Sequence, residues 1–211
     1  MHSATIYIGR VRALCPGSET APLAELTRQR RQRVAQMKGE QNRCQSIAAG
    51  LLLRRALQEA AIPCTDASFQ TGPYGKPHLK QDGVFFNLSH AGEYVVCALA
   101  DCAVGVDVEQ QNRFADRARN QKLAARILTA EEAACWEASG CAARSLLRFW
   151  TRKESYVKMT GEGLREELRC VDTLHGAHYG ELTVGEPEDR YGICVCTRED
   201  NACDFLWKML D

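Results

Sequence analysis

Apolar and polar positions alternate along this chain with two periods, near two and near 3.6 residues, which mark strands and helices respectively. Residues 6–11 read as a first strand. Residues 21–37 give a polar, basic helix. Residues 41–61 give a better one, with Ile47, Leu51, Leu52 and Leu57 at helical spacing and Pro63 ending it. Gly72-Pro73-Tyr74-Gly75-Lys76-Pro77 is a turn-rich loop. Strands follow over residues 85–88, 94–100 and 104–109. Residues 110–120 are polar and read as an exposed connection. Helical patterns return over 121–128, 130–138 and 142–159, the second opened by a capping box from Thr129 to Glu132. Residues 168–173, 179–184 and 191–197 read as closing strands.

The layout is strand, helices, strands, repeated once. It predicts an α+β chain of two similar α/β lobes related by pseudo-twofold symmetry. The expected boundary divides residues 1–101 from 102–211, with a site in the cleft between the lobes. This rests on layout, since the halves show no convincing identity.

Composition narrows the function. The chain has 211 residues, 45% of them apolar, enough for an ordinary core. Lys+Arg and Asp+Glu both number 27, so the net charge is zero, which argues against a nucleic-acid binder. Locally, residues 28–43 hold Arg28, Arg30, Arg31, Arg33, Lys38 and Arg43 against one acid, Glu40. The 11 cysteines form no CxxC pair, although Cys194 and Cys196 share a strand face. No signal peptide and no membrane span are expected. The cysteines then read as small hydrophobes in a reducing compartment, the cytoplasm.

Two short stretches carry chemistry. In Gly105-Val106-Asp107-Val108-Glu109, strand alternation turns Val104, Val106 and Val108 to a core and Gly105, Asp107 and Glu109 the other way. Two carboxylates roughly 6.5–7 Å apart can share one ion. Gly105 is expected to leave open space beside them. A half-exposed strand with its polar face in water is the plainer account of D-x-E alone. The second stretch, Phe149-Trp150-Thr151-Arg152-Lys153-Glu154-Ser155-Tyr156-Val157-Lys158, is a helix. At about 100° per residue, Glu154 and Lys158 lie side by side on the flank of a stripe formed by Leu146, Trp150 and Val157. An exposed Glu–Lys pair accounts for those two, but it leaves Lys153 inside the stripe. A lysine there must snorkel out or meet an anion, and a phosphate is the expected anion. Asp107, Glu109 and Glu154 together would hold a hard divalent cation.

Candidate phosphate ligands lie elsewhere. Asn87-Leu88-Ser89-His90-Ala91-Gly92 is expected to close a strand with a polar turn that offers Ser89 and His90. Lys76 sits in a stiff loop. Arg43 opens the second helix and Arg30 lies in the first; helix N-termini favour anions. A solvated basic face accounts for most of residues 28–43.

Taken in order, Gly75-Lys76-Pro77, Phe86-Asn87-Leu88-Ser89-His90-Ala91-Gly92, Val104-Gly105-Val106-Asp107-Val108-Glu109 and the Phe149–Lys158 stretch resemble the motifs of the 4′-phosphopantetheinyl transferase family, of the two-lobed, surfactin-synthetase-activating type. Gly161-Glu162-Gly163-Leu164 follows, as a G-x-G-L commonly does there. The resemblance implies two α/β lobes with coenzyme A between them. It implies Mg²⁺ on Asp107, Glu109 and Glu154, and Lys158 on the pyrophosphate. Arg43, Lys76, Ser89 and His90 match positions around the phosphates and adenosine. Arg30 falls where a base meets the 3′-phosphate, although Arg28 or Arg31 could serve instead.

The implied reaction is attack by a serine of an apo acyl or peptidyl carrier protein on the β-phosphate of coenzyme A. Adenosine 3′,5′-bisphosphate leaves. Glu154 would take the serine proton, directly or through water, and Lys158 would steady the departing phosphate, with Lys153 as a further phosphate ligand or only as support for the helix. The enzyme is expected to be a monomer. Arg113, Arg117 and Arg119 offer a docking surface for an acidic carrier, or a solvated loop. A metal-dependent phosphohydrolase of a nucleotide pyrophosphate is the alternative, and a non-catalytic nucleotide-binding module is a third reading.

Overall fold

The computed structural model describes residues 2–16, 23–72, 76–161 and 168–210. Ala21 and Pro22 of the first predicted helix, residues 73–75 of the turn-rich loop and residues 162–164 of the last motif lie outside the described residues.

Strand β1 (His2–Arg10) leads into a short helix α1 (Val11–Leu14). Helices α2 (Arg28–Ala35) and α3 (Glu40–Glu59) follow. Strands β2 (Phe69–Thr71) and β3 (Pro77–Leu79) form a small antiparallel pair. Then come β4 (Phe85–Ala91), β5 (Tyr94–Ala100) and β6 (Val104–Gln110). Helices α4 (Arg117–Ile127), α5 (Ala130–Ala138) and α6 (Ala143–Thr160) precede β7 (Ala177–Val184), β8 (Tyr191–Arg198) and β9 (Cys203–Leu210). This is a mixed α+β chain. No helix among the described residues is long and apolar enough to cross a membrane.

One sheet runs β4-β5-β1-β9 and another β6-β8-β7. The central strand β5 is apolar throughout because both its faces are covered. Val95, Cys97 and Leu99 join Leu52, Ala56 and Leu57 of α3 in one core. Val96 and Ala98 join Ile6, Val104, Val106, Ile193 and Val195 in a second core that spans both sheets. Fully burying side chains of this kind contributes about 1.5–3 kcal/mol each, well above an exposed ion pair.

Four elements differ from the sequence expectation. The first basic helix begins only at Arg28, because the Thr27 hydroxyl accepts the Arg30 N–H and caps it there. Residues 110–120 are not a plain exposed connection. A 3-10 turn, Gln111–Phe114, buries Phe114, and Asp116 caps α4 through the Ala118 and Arg119 N–H groups. Residues 168–173 form no strand. The Leu168 and Val171 carbonyls accept from Lys153, where a strand would offer them to a neighbour. Finally, β9 was absent from the expectation, although Cys203, Phe205 and Trp207 alternate toward the core. It pairs in parallel with β1, His2 opposite Cys203, so the end of the chain completes the first sheet.

Candidate active site

The site begins with the contact between β6 and α6. A Cβ on Gly105 would lie 1.9 Å from the Ser155 carbonyl oxygen and 2.5 Å from the Met159 nitrogen. The expected open space beside Gly105 is therefore filled by helix backbone. The missing side chain lets α6 lie directly on β6, which brings Glu154 and Lys158 to Asp107.

Asp107 is 4% exposed. Its Oδ1 accepts from Lys158 Nζ at 2.6 Å and from Ser89 Oγ at 3.0 Å. Lys158 Nζ also donates to Ser89 Oγ at 2.9 Å. Asp107 Oδ2 is buried with no hydrogen-bond partner among the described residues. Burial raises the Asp107 pKa even against the adjacent Lys158 charge. Burial, and then the Asp107 charge, likewise raise that of Glu154. Among the described residues, no side chain hydrogen-bonds to the Glu154 carboxylate.

Ser89 and His90 lie within β4, and the turn comes after them, at Gly92 and Glu93. Asn87 and Ser89 face β6, where Asn87 Oδ1 accepts the Val106 N–H and Ser89 Oγ the Val108 N–H. These two bonds tie the sheets together beneath the carboxylates.

Glu109 points elsewhere. Its Oε1 accepts from Arg113 and, at 3.1 Å, from Trp150 Nε1. The Arg113 guanidinium lies 5.4 Å from the Trp150 ring centroid. Among the described residues, Asp107, Glu109 and Glu154 do not form a set whose oxygens all lie within 4.8 Å of one another. The donor chemistry still fits a hard cation, since the Asp107 and Glu109 charges both act on Glu154 and one Asp107 oxygen is buried and unpartnered.

A basic pocket adjoins this cluster, lined by Arg30, Arg33, Ser46, Lys76, Asn87 and His90. A second, more apolar pocket shares Arg30, Arg33 and Phe86 and adds Leu26, Leu53 and Phe69. The Arg30 pKa is lowered by burial and by Arg33. That of His90 is lowered by the crowding around its ring and by Lys158, Arg30 and Arg33. Arg30, Arg33, Lys76 and His90 thus line one pocket. Lys76 Nζ donates to the Lys158 carbonyl and, at 3.4 Å, to that of Met159, and burial lowers its pKa. Arg43 lies half-buried in the first turn of α3, three residues before Ser46.

Lys153 does not belong to the site, which corrects its expected phosphate role. It is fully buried, 2.7 Å from Glu132 Oε2, and donates to the Leu168 and Val171 carbonyls. Glu132 also accepts from Thr129 N, Thr173 N and Thr173 Oγ1. The anion demanded by the apolar stripe is this carboxylate. Of the two alternatives to Arg30, Arg31 is engaged elsewhere, its Nη1 donating to the Leu26 carbonyl, whereas Arg28 commits only its backbone N–H, to Asp66. Sequence reasoning missed Arg33 and Ser46 as pocket residues. Their spacing was the signal: each lies three residues after a named arginine, on the same helix face.

Residues 103–201 match the profile of the 4′-phosphopantetheinyl transferase superfamily, and residues 19–102 match that of the 4′-phosphopantetheinyl transferase N-terminal region. The chain is 30% identical over 169 residues to 4′-phosphopantetheinyl transferase AcpT of Salmonella typhimurium, spanning 78% of this chain and 81% of that one. It is 28% identical over 184 residues to 4′-phosphopantetheinyl transferase psf-1 of Bacillus pumilus, spanning 76% and 74%. A 4′-phosphopantetheinyl transferase of Bacillus subtilis is 23% identical over 211 residues, 92% of each.

Proposed function

The chain belongs to the 4′-phosphopantetheinyl transferase superfamily, and we propose that its coenzyme A site runs from the Asp107–Lys158 cluster to the Arg30–Arg33 pocket. The protein is a transferase that moves the 4′-phosphopantetheine arm of coenzyme A to a serine of a carrier protein. The observation that carries the site assignment is Asp107: one carboxylate oxygen is bonded to Lys158 and Ser89, and the other is buried and bare beside a pocket lined by Arg30, Arg33 and Lys76.

Arg30 and Arg33 meet the 3′-phosphate, and Lys76 and His90 meet the pyrophosphate. Arg43 is the outer member of the same basic set. Ser89 and Lys158 lie nearest the phosphorus under attack. The serine oxygen forms a new bond to the β-phosphorus, and the bond from that phosphorus to the bridging oxygen breaks. Adenosine 3′,5′-bisphosphate carries away the electron pair. Glu154 takes the serine proton, a role suited by its raised pKa. Lys158 steadies charge on the phosphates, which is the main demand of such a transfer. Asp107, Glu109 and Glu154 are the residues that would hold Mg²⁺, with Glu109 turning from Arg113. When bound, that ion supplies charge neutralisation on the pyrophosphate.

The site is read as the cleft of two pseudo-symmetric lobes, residues 1–101 and 102–211, with β9 crossing back to the first. The exposed Arg117 and Arg119 on α4 offer a docking face to an acidic carrier. The active form is a cytoplasmic monomer. Incubating the protein with coenzyme A, Mg²⁺ and an apo carrier tests the reading. The carrier should gain the mass of the phosphopantetheine arm. Release of free phosphopantetheine with the carrier unmodified would replace transfer by hydrolysis.

A further inference from the structure

Three strand ends meet away from the transferase site, and each brings a metal-ligating side chain. His2 begins β1 and is paired with Cys203, which begins β9. Asp101 and Cys102 form the turn between β5 and β6, where the Asp101 N–H donates to the Ser3 carbonyl. Cys102 precedes Asp107 by five residues, roughly 16 Å of extended chain, so the cluster is separate from the carboxylate site.

The donors are close. Cys102 Sγ and Cys203 Sγ lie 3.3 Å apart, and both residues are buried at the end of the core shared by the two sheets. His2 Nδ1 is 2.8 Å from Asp101 Oδ1. One ligand atom each from His2, Asp101 and Cys102 all lie within 4.8 Å of one another. Each part alone has an ordinary explanation: buried thiols behave as small hydrophobes, and a partly exposed His–Asp pair is a weak surface contact. The combination is less ordinary. Donors around a tetrahedral zinc ion at about 2.0–2.3 Å stand roughly 3.3–3.8 Å from one another. The Cys102–Cys203 and His2–Asp101 pairs stand close to that range, and Cys203, which lies outside the three-residue set, would turn toward His2 and Asp101 to complete it.

We propose that His2, Asp101, Cys102 and Cys203 form a binding site for a thiophilic divalent cation, zinc, which clamps β1, the β5–β6 turn and β9 together. Two soft sulfurs, an imidazole and a carboxylate select zinc over magnesium. Binding displaces the two thiol protons to solvent and requires no oxidant. Burial and the neighbouring Cys203 push the free Cys102 thiol up to about 12, so without metal it is a poor nucleophile. The clamp joins residues 2 and 203, near the two ends of the described chain, to residue 102 at its middle. It anchors the start of the strand that carries Asp107. Metal affinity at such a place adds to folding stability.

The test uses the full chain, saturated with zinc under reducing conditions, freed of loose metal by gel filtration and analysed by elemental mass spectrometry. Stoichiometric zinc is expected in the wild type and in Asp107→Ala. Loss is expected in Cys102→Ser and in His2→Ala, whose partly exposed position lets the variant fold. Chelation should lower the melting temperature of the wild type but not of His2→Ala. With cobalt, a thiolate-to-metal charge-transfer band should appear in the wild type and vanish in Cys203→Ser. Retention of zinc by His2→Ala and Cys102→Ser alike, or loss in Asp107→Ala alone, would overturn the site. So would a metal-free protein whose non-reduced peptide map joins Cys102 to Cys203 as a disulfide.

Discussion

Lys158 Nζ lies 2.6 Å from Asp107 Oδ1, and this bond joins the helix that carries the proposed base to the strand that carries the proposed metal ligands. Removing the lysine leaves Asp107 buried with one hydroxyl donor in place of a charge. Lys158→Ala should therefore slow carrier modification by about 10²-fold or more. Its stability cost should be about 2 kcal/mol, below that of a fully buried pair, because the lysine is partly exposed. Single-turnover rates and urea midpoints measure the two effects separately.

Asp107→Asn makes the opposite stability prediction. A desolvated carboxylate with a bare oxygen costs free energy in the metal-free protein. Its neutral replacement should leave the melting temperature unchanged or raise it, while transfer is abolished. Added Mg²⁺ should stabilise the wild type and not this variant. Thermal denaturation with and without the ion decides it.

Gly105→Ala should disrupt site and fold together. The clash is with backbone, 1.9 Å from the Ser155 carbonyl oxygen, and no side-chain rotation relieves it. Helix α6 must move off β6, at about 1–3 kcal/mol or more, carrying Glu154 and Lys158 from Asp107. A variant with wild-type stability and activity would contradict the packing.

Lys153 and Glu132 supply a control for the site assignment. Losing one member of a fully buried pair typically costs about 3–5 kcal/mol. Lys153→Met should be destabilised on that scale, whereas coenzyme A affinity per folded molecule stays near wild type. The double variant with Glu132→Gln should recover part of the loss. Calorimetric affinity on the folded fraction would expose a direct phosphate role.

His90 sets a pH dependence. Its pKa is lowered in the folded protein by its crowded surroundings and by Lys158, Arg30 and Arg33. The stability linked to it is therefore complete above the ordinary histidine value of about 6.5 and is lost as pH falls through the lower folded value. His90→Gln does not titrate, so its stability should fall less steeply below about pH 6.5. A bound pyrophosphate reverses the preference, and coenzyme A binding should take up a proton in the wild type but not in His90→Gln. Calorimetry in buffers of different ionisation enthalpy reads that proton.

What the sequence disclosed follows the range of the interactions involved. Alternation along β6 placed Asp107 and Glu109 on one face, and helical spacing set Glu154 beside Lys158, because both are local periodicities. The Thr129–Glu132 capping box was equally local and is present. The tertiary partners were hidden. Glu132 meets Lys153 across 21 residues, so a buried ion pair looked like a lysine in need of phosphate. Gly105 looked like open space because its occupant is the backbone of a distant helix. Strand β9 had its own alternation, Phe205 and Trp207 against Asp204 and Lys208, but its partner is the first strand of the chain. Arg113 was weighed as a docking residue, whereas it holds Glu109 through an ion pair four residues away.

The bare oxygen of Asp107 is the proposed seat of a divalent cation that would strengthen coenzyme A binding. Titration calorimetry of coenzyme A binding, with and without Mg²⁺, in the wild type and Asp107→Asn, addresses it most directly. Mg²⁺ should tighten binding in the wild type and leave Asp107→Asn unaffected. An equal Mg²⁺ effect in both proteins would contradict the claim.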